Sequence, residues 1–241
     1  MRDYTLDDLF DAVLEQAPMV VAYSLCVFAF VGLVCLGPWI PFSLFQFWKW
    51  EGTLYQVIRT AWPIFAWVGC MTLYDLATDR SDSCGGDGPR EVLRKGTIIS
   101  LWAGISEEIF FRWLMFYTGI IGFKVMNTLT FGLTEWFHVH LYGPMANLFT
   151  LGVLHDYLLN GAGYAVGAAI ITANGRFQKG HQYQGTFGLI NSWFLGMIFF
   201  HIMFKHGLLA AMFVHFLYDE LVFCAAAGRA YAANKRDRVR R

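Results

Sequence analysis

Apolar residues in this chain come in long runs rather than in alternation, and the runs are broken by glycine, proline and short polar stretches. A helix needs about 20 largely apolar residues to cross a bilayer. The pattern predicts spans over 18–40, 54–77, 97–120, 124–140, 144–160, 162–175, 187–205 and 207–227. The fourth to sixth are short or interrupted by glycine, which makes one of them a candidate re-entrant segment. The N-terminal stretch MRDYTLDDLFDAVLEQ has the pattern of an acidic amphipathic surface helix and lacks the basic start of a signal peptide. Asp79 to Lys95, DRSDSCGGDGPREVLRK, reads as a flexible loop. No internal repeat and no soluble domain stands out. The expectation is an all-α chain: a single integral membrane domain, 1–241, built as a polytopic bundle of about eight transmembrane helices.

Composition strengthens that picture. Hydrophobic residues make up 56% and charged residues only 15%, against roughly 25% charged in soluble proteins. The net charge of zero says little about partners beyond offering no basic excess for nucleic acid, so the placement of charge matters more. With eight spans and both termini cytoplasmic, thirteen Lys and Arg fall on the inside and only Lys49, Arg59, Lys124 and Lys205 on the outside. Such a bias is the ordinary mark of a cytoplasmic face. The chain is thus expected to be multi-pass, in the plasma (inner) membrane if bacterial. The cysteines Cys26, Cys35, Cys70, Cys84 and Cys224 are scattered, with no CxxC pair, and read as helix-lining thiols.

Charged groups at mid-bilayer cost a few kcal/mol each or more, so those present need a reason. The third span contains Glu107, Glu108 and Arg112 in GISEEIFFRWL, near half depth. Glu108 and Arg112 are four apart, the glutamate nearer the N-terminus, which favours an ion pair. Glu107 points about 100° away and finds no such partner on its own helix. The last span carries His215 and Asp219, again four apart, in HGLLAAMFVHFLYDELVF. A third feature, ANGRFQKGHQYQG, puts Phe177 and His181 on one face. A carboxylate near a histidine can activate water, and a second histidine with a polar partner can stabilise an oxyanion.

Together EExxxR at Glu107–Arg112, FxxxH at Phe177–His181 and HxxxN/D at His215–Asp219 resemble the motifs of the CAAX-processing and bacteriocin-processing (CPBP) family of intramembrane proteases. The resemblance covers about 97–120 and 162–222, and leaves 124–160 as an inserted helical pair. It implies a glutamate-type endopeptidase without a cofactor, acting on a membrane-associated peptide or protein within the lipid bilayer. Glu107 with His181 would activate the attacking water, His215 and Asp219 would hold the oxyanion, and Arg112 would pair with Glu108. Two departures accompany it. About 70 residues separate the first two motifs, so that His138 and His140, in WFHVH, stand as rivals to His181. Asp219 replaces the commoner Asn, and an ionised Asp accepts but cannot donate, so it would act protonated or by orienting His215. The proline-containing run after His140, Leu-Tyr-Gly-Pro, is expected to end a helix and leave that histidine in a turn. Glu135, His155 and Asp156 are expected in helix packing, and His201 and His206 beside an external turn with solvated side chains.

Two other readings stay open. Glu107, His181 and His215 could act as three zinc ligands with an open fourth position, although no HExxH is present. The buried charges could instead serve a transporter or binding scaffold.

Overall fold

The computed structural model describes residues 27–28, 31–32, 34–35, 37–77, 88–159 and 163–240. The N-terminal surface helix, most of the span expected over 18–40 and the polar stretch 78–87 lie outside the described residues. Within them the chain is all helix and turn, with no strand. The helices are α1 (Leu54–Ala77), α2 (Pro89–Leu129), α3 (133–149), α4 (His155–Leu158), α5 (Tyr164–Gly180), α6 (Gly185–His206) and α7 (Leu208–Arg240).

Among the described residues three helical stretches are long and apolar enough to cross a membrane: Pro89–Leu129, Gln182–His206 and Leu208–Ala232. Their outward faces keep large apolar side chains such as Ile98, Trp102, Ile190 and Leu209 exposed. A soluble surface would hide a patch of that extent. The chain is therefore an all-helical protein with the character of a membrane protein.

Helix α2 differs from its sequence-based expectation at both ends. The loop expected to reach Lys95 already turns helical at Pro89, where a proline at the first helical position loses no hydrogen bond. Glu91 sits in that first turn and pairs with Arg94 at 2.8 Å. At the far end the break expected between 120 and 124 is absent, and the helix runs on to Leu129. Its 41 residues measure about 60 Å, roughly twice a bilayer's hydrocarbon core.

The segment 144–160 is not one span. Helix α3 ends at Phe149, a turn follows, and α4 is a single short helical turn. That turn repeats the one before α3. Asn127–Leu133 and Asn147–Val153 share the pattern N-x-x-T-Φ-G-Φ, Φ being apolar, a short internal repeat that the sequence reading missed. In each turn the glycine N–H returns to the asparagine carbonyl at 2.9 Å (Gly132 to Asn127, Gly152 to Asn147). The residue before each glycine, Phe131 or Leu151, has positive φ and stands almost fully exposed. Within α3, Gly-Pro does not end the helix. The stretch His138–Tyr142 widens to a π turn in which Gly143 N–H reaches His138 O, which makes room for the ring of Pro144.

Helices α2 and α7 form the spine of the bundle. Gly96, Ser100 and Gly104, each four residues apart and all buried, put small side chains on the contact face of α2. A Cβ on Gly104 would meet Met212 O and Phe216 N at 3.0 Å, and one on Gly96 would overlap the Phe223 ring. Such small residues let two backbones approach closely. Helix α5 packs on the second half of α2, where Gly119 faces Ala169, and α6 lies between α5 and α7. The segment 40–53, a run of bends and turns, straps one end. Its carbonyls accept from Tyr117 Oη (Ser43 O, 2.8 Å) and Trp113 Nε1 (Leu44 O, 2.8 Å). His206 belongs to this end and is buried rather than solvated, its Nδ1–H donating to Glu51 O at 3.0 Å and its Nε2 2.8 Å from Thr60 Oγ1.

Candidate active site

The site is built where α2 is widest. Residues Glu108–Met115 form a π-helical segment inside the helix, a distortion often found at functional positions. Glu107 and Glu108 leave this junction in different directions. Glu108 and Arg112 are both fully buried and pair at 3.3 Å. Glu107 turns to a cavity of ≈ 420 Å³, where its Oε2 has no hydrogen-bond partner among the described residues.

Helix α7 brings His215 between the two carboxylates. The ring Nδ1 is 2.8 Å from Glu108 Oε1. A carboxylate only accepts, so a proton lies on Nδ1, and Nε2 is the nitrogen that faces the cavity. Glu107 Oε2 lies 4.0 Å and Asp219 Oδ2 3.6 Å from that Nε2, both beyond hydrogen-bond range. Nδ1 of His215 is thus held by Glu108, and Asp219, for which the sequence left either a protonated or an orienting role, faces the opposite nitrogen. The ring is held flat against Phe199, centroid to centroid 4.6 Å.

Helix α5 supplies His181 at its C-terminal end. Its Nδ1–H donates to Phe177 O one turn back at 2.8 Å, again leaving Nε2 as the basic nitrogen. His181 lines the same cavity as Glu107, His215 and Asp219. The rivals do not. His138 is buried beneath Gly143 and Gly167 and donates from Nε2 to Leu158 O at 2.9 Å. His140 is bound by its Nδ1 to Trp136 O at 2.8 Å and stacks on the Trp136 ring. Glu135 has a local packing role, accepting from Asn127 Nδ2 at 3.1 Å.

Several contributors carry no motif. The Arg112 guanidinium lies 4.0 Å from the Phe177 ring centroid, so the phenylalanine of FxxxH stacks on the buried cation. Asn174 is fully buried and donates from Nδ2 to Trp193 O at 3.0 Å. Its Oδ1 and Arg112 meet over Gly196, where an added Cβ would overlap Asn174. Asn174 lies one helical turn before Phe177, which is the signal that could have found it. Along the cavity wall Trp67 of α1 stacks on Phe187 of α6 at 6.0 Å. Among the described residues no three His, Cys, Asp or Glu side chains are grouped to hold a metal ion.

The arrangement presents two carboxylates and two imidazole Nε2 atoms to one cavity between packed helices. Such a set can take a proton from water and pass it on. Comparison of the chain with known protein families, curated proteins and solved structures finds no match.

Proposed function

We propose that the chain is an intramembrane endopeptidase of the CPBP type, hydrolysing a peptide bond in a membrane-associated substrate. The observation that carries the reading is the convergence of Glu107, His181, His215 and Asp219 on one cavity while Glu108 and Arg112 are sealed behind it. On this reading the full chain is multi-pass with both termini cytoplasmic, and the region around α3 and α4 is an insertion.

Glu107, unpartnered and facing the cavity, takes a proton from water as the water oxygen bonds to the substrate carbonyl carbon. The C=O π pair moves to the carbonyl oxygen. When the intermediate collapses, the C–N bond breaks and the proton passes through the imidazoles to the leaving amine. His181 is the partner of Glu107 in handling the water, since its Nε2 is available. His215 is aimed by Glu108, in the way a buried carboxylate fixes a catalytic histidine's tautomer. Packed apolar walls lower the local dielectric and strengthen these interactions.

The test is cleavage of a membrane-peptide library by purified protein in detergent or liposomes, with Glu107→Gln as the inactive reference. Cleavage by the wild type that Glu107→Gln lacks supports the reading, and equal behaviour of the two proteins overturns it.

A further inference from the structure

A hydrolytic cavity needs a hydrogen-bond donor for the oxygen that becomes negative. The motif residues supply none while their carboxylates are ionised and their imidazoles neutral. Glu107 and Asp219 accept when ionised, and the Nδ1–H groups of His181 and His215 are already given to Phe177 O and Glu108. Tyr218 faces the same cavity, three residues after His215 and next to Asp219.

A chain of three polar side chains fixes the direction of its hydroxyl. Trp67 Nε1 lies 2.8 Å from the Asn191 side-chain oxygen. An indole N–H can only donate, so the asparagine atom facing it must be oxygen, which settles the amide orientation. The other end of that amide, Nδ2, therefore points at Tyr218 and donates to its Oη at 3.0 Å. With its oxygen engaged as acceptor, the Tyr218 hydroxyl has its proton left to give. Among the described residues no acceptor is paired with it, and the open direction is the cavity.

We infer that Tyr218 donates its hydroxyl proton in a hydrogen bond to the substrate's scissile carbonyl oxygen, aimed by the Trp67–Asn191 relay. The inference rests on the hydrolase reading above. The relay links α1, α6 and α7, and Trp67 and Phe187 close the wall beside it by stacking. Trp67 thereby both builds that wall and orients the donor. The other tyrosine along the cavity, Tyr183, is 79% exposed, and its hydroxyl accepts from the adjacent, exposed Gln184 amide at 2.9 Å rather than from an amide anchored by an indole of another helix.

The experiment compares wild type, Tyr218→Phe, Asn191→Asp, Tyr183→Phe and Glu107→Gln on one cleaved peptide. Alongside, it measures binding of a peptidyl phosphinate that mimics the tetrahedral intermediate. Losing one oxyanion donor costs about 100- to 1,000-fold in kcat. Tyr218→Phe is expected to lose that much in kcat with KM little changed, and to bind the phosphinate more weakly by a similar factor. Asn191→Asp keeps the shape but makes the group facing Tyr218 an acceptor, so the hydroxyl turns from the substrate and a comparable loss follows. This second variant carries the test if Tyr218→Phe fails to fold. Tyr183→Phe is expected within about threefold of wild type on the same scale. Normal kcat in both relay variants, with Glu107→Gln dead, overturns the inference and leaves the hydrolase reading standing. A loss in binding of the unreacted peptide equal to the loss for the phosphinate overturns it too, because that marks a merely structural role. If Glu107→Gln matches wild type, the hydrolase reading itself fails and the inference goes with it.

Discussion

A single carboxylate oxygen, Oε1 of Glu108, lies 2.8 Å from His215 Nδ1 and 3.3 Å from the Arg112 guanidinium. The imidazole hydrogen-bonds to this oxygen while the guanidinium forms an ion pair with it, and neither Glu108 nor Arg112 is open to solvent. Fixing the tautomer of His215 and neutralising the buried arginine are one interaction, not two.

Removing either partner strands a charge. Breaking a buried ion pair from one side typically costs about 3–5 kcal/mol. Glu108→Ala and Arg112→Ala are each expected to lower stability by that order, read as a fall in thermal midpoint in detergent. Glu108→Gln keeps an acceptor for His215 Nδ1, so it is expected to lose stability through Arg112 and retain part of any activity.

Glu107 behaves differently because its Oε2 has no partner to lose. Glu107→Gln is expected to unfold within about 0.5 kcal/mol of wild type, as for substitutions that break no contact. On the proposed mechanism it loses cleavage, by about 100- to 10,000-fold for removal of a general base. Unchanged turnover would take the base role away from Glu107.

The histidines separate into two kinds by the same logic. His181→Ala is expected to lose about 100- to 10,000-fold in rate. His138→Ala and His140→Ala are expected to stay within roughly tenfold on that scale. His138→Ala should instead lose stability, since it leaves the buried Leu158 carbonyl unpaired at a cost of about 1–3 kcal/mol. Finding the rate defect in His138→Ala would move the site to the insertion.

Prolonged treatment with a chelator is expected to leave turnover unchanged, because the proposed proton transfers run through side chains alone. Loss of activity restored by zinc but not by calcium would favour Glu107, His181 and His215 as metal ligands.

Much of the site was legible in order along the chain. The i,i+4 spacing of Glu108 and Arg112 and of His215 and Asp219 places each pair on one helix face whatever the fold. The same argument left Glu107 unpaired, as the structure finds it. Helix boundaries were less legible. A window of hydropathy cannot tell that a π turn lets α3 pass Pro144, or that the turns at Gly132 and Gly152 return to asparagine carbonyls. His206 looked like a solvated loop residue because its partners, Glu51 O and Thr60, are more than a hundred residues away in sequence.

Composition and periodicity by themselves determined that the chain is helical, apolar and charged at only a few interior points, since those properties are summed along the sequence. Only tertiary structure decided which nitrogen of His215 meets which carboxylate. That contact joins residues 107 positions apart on two long helices. Its register is set where Gly104 lets α2 lie against the backbone of Met212 and Phe216 and Gly96 admits the Phe223 ring. A hydrogen bond is satisfied only within a few tenths of an ångström, and that alignment comes from backbone packing, which no pattern along one helix contains.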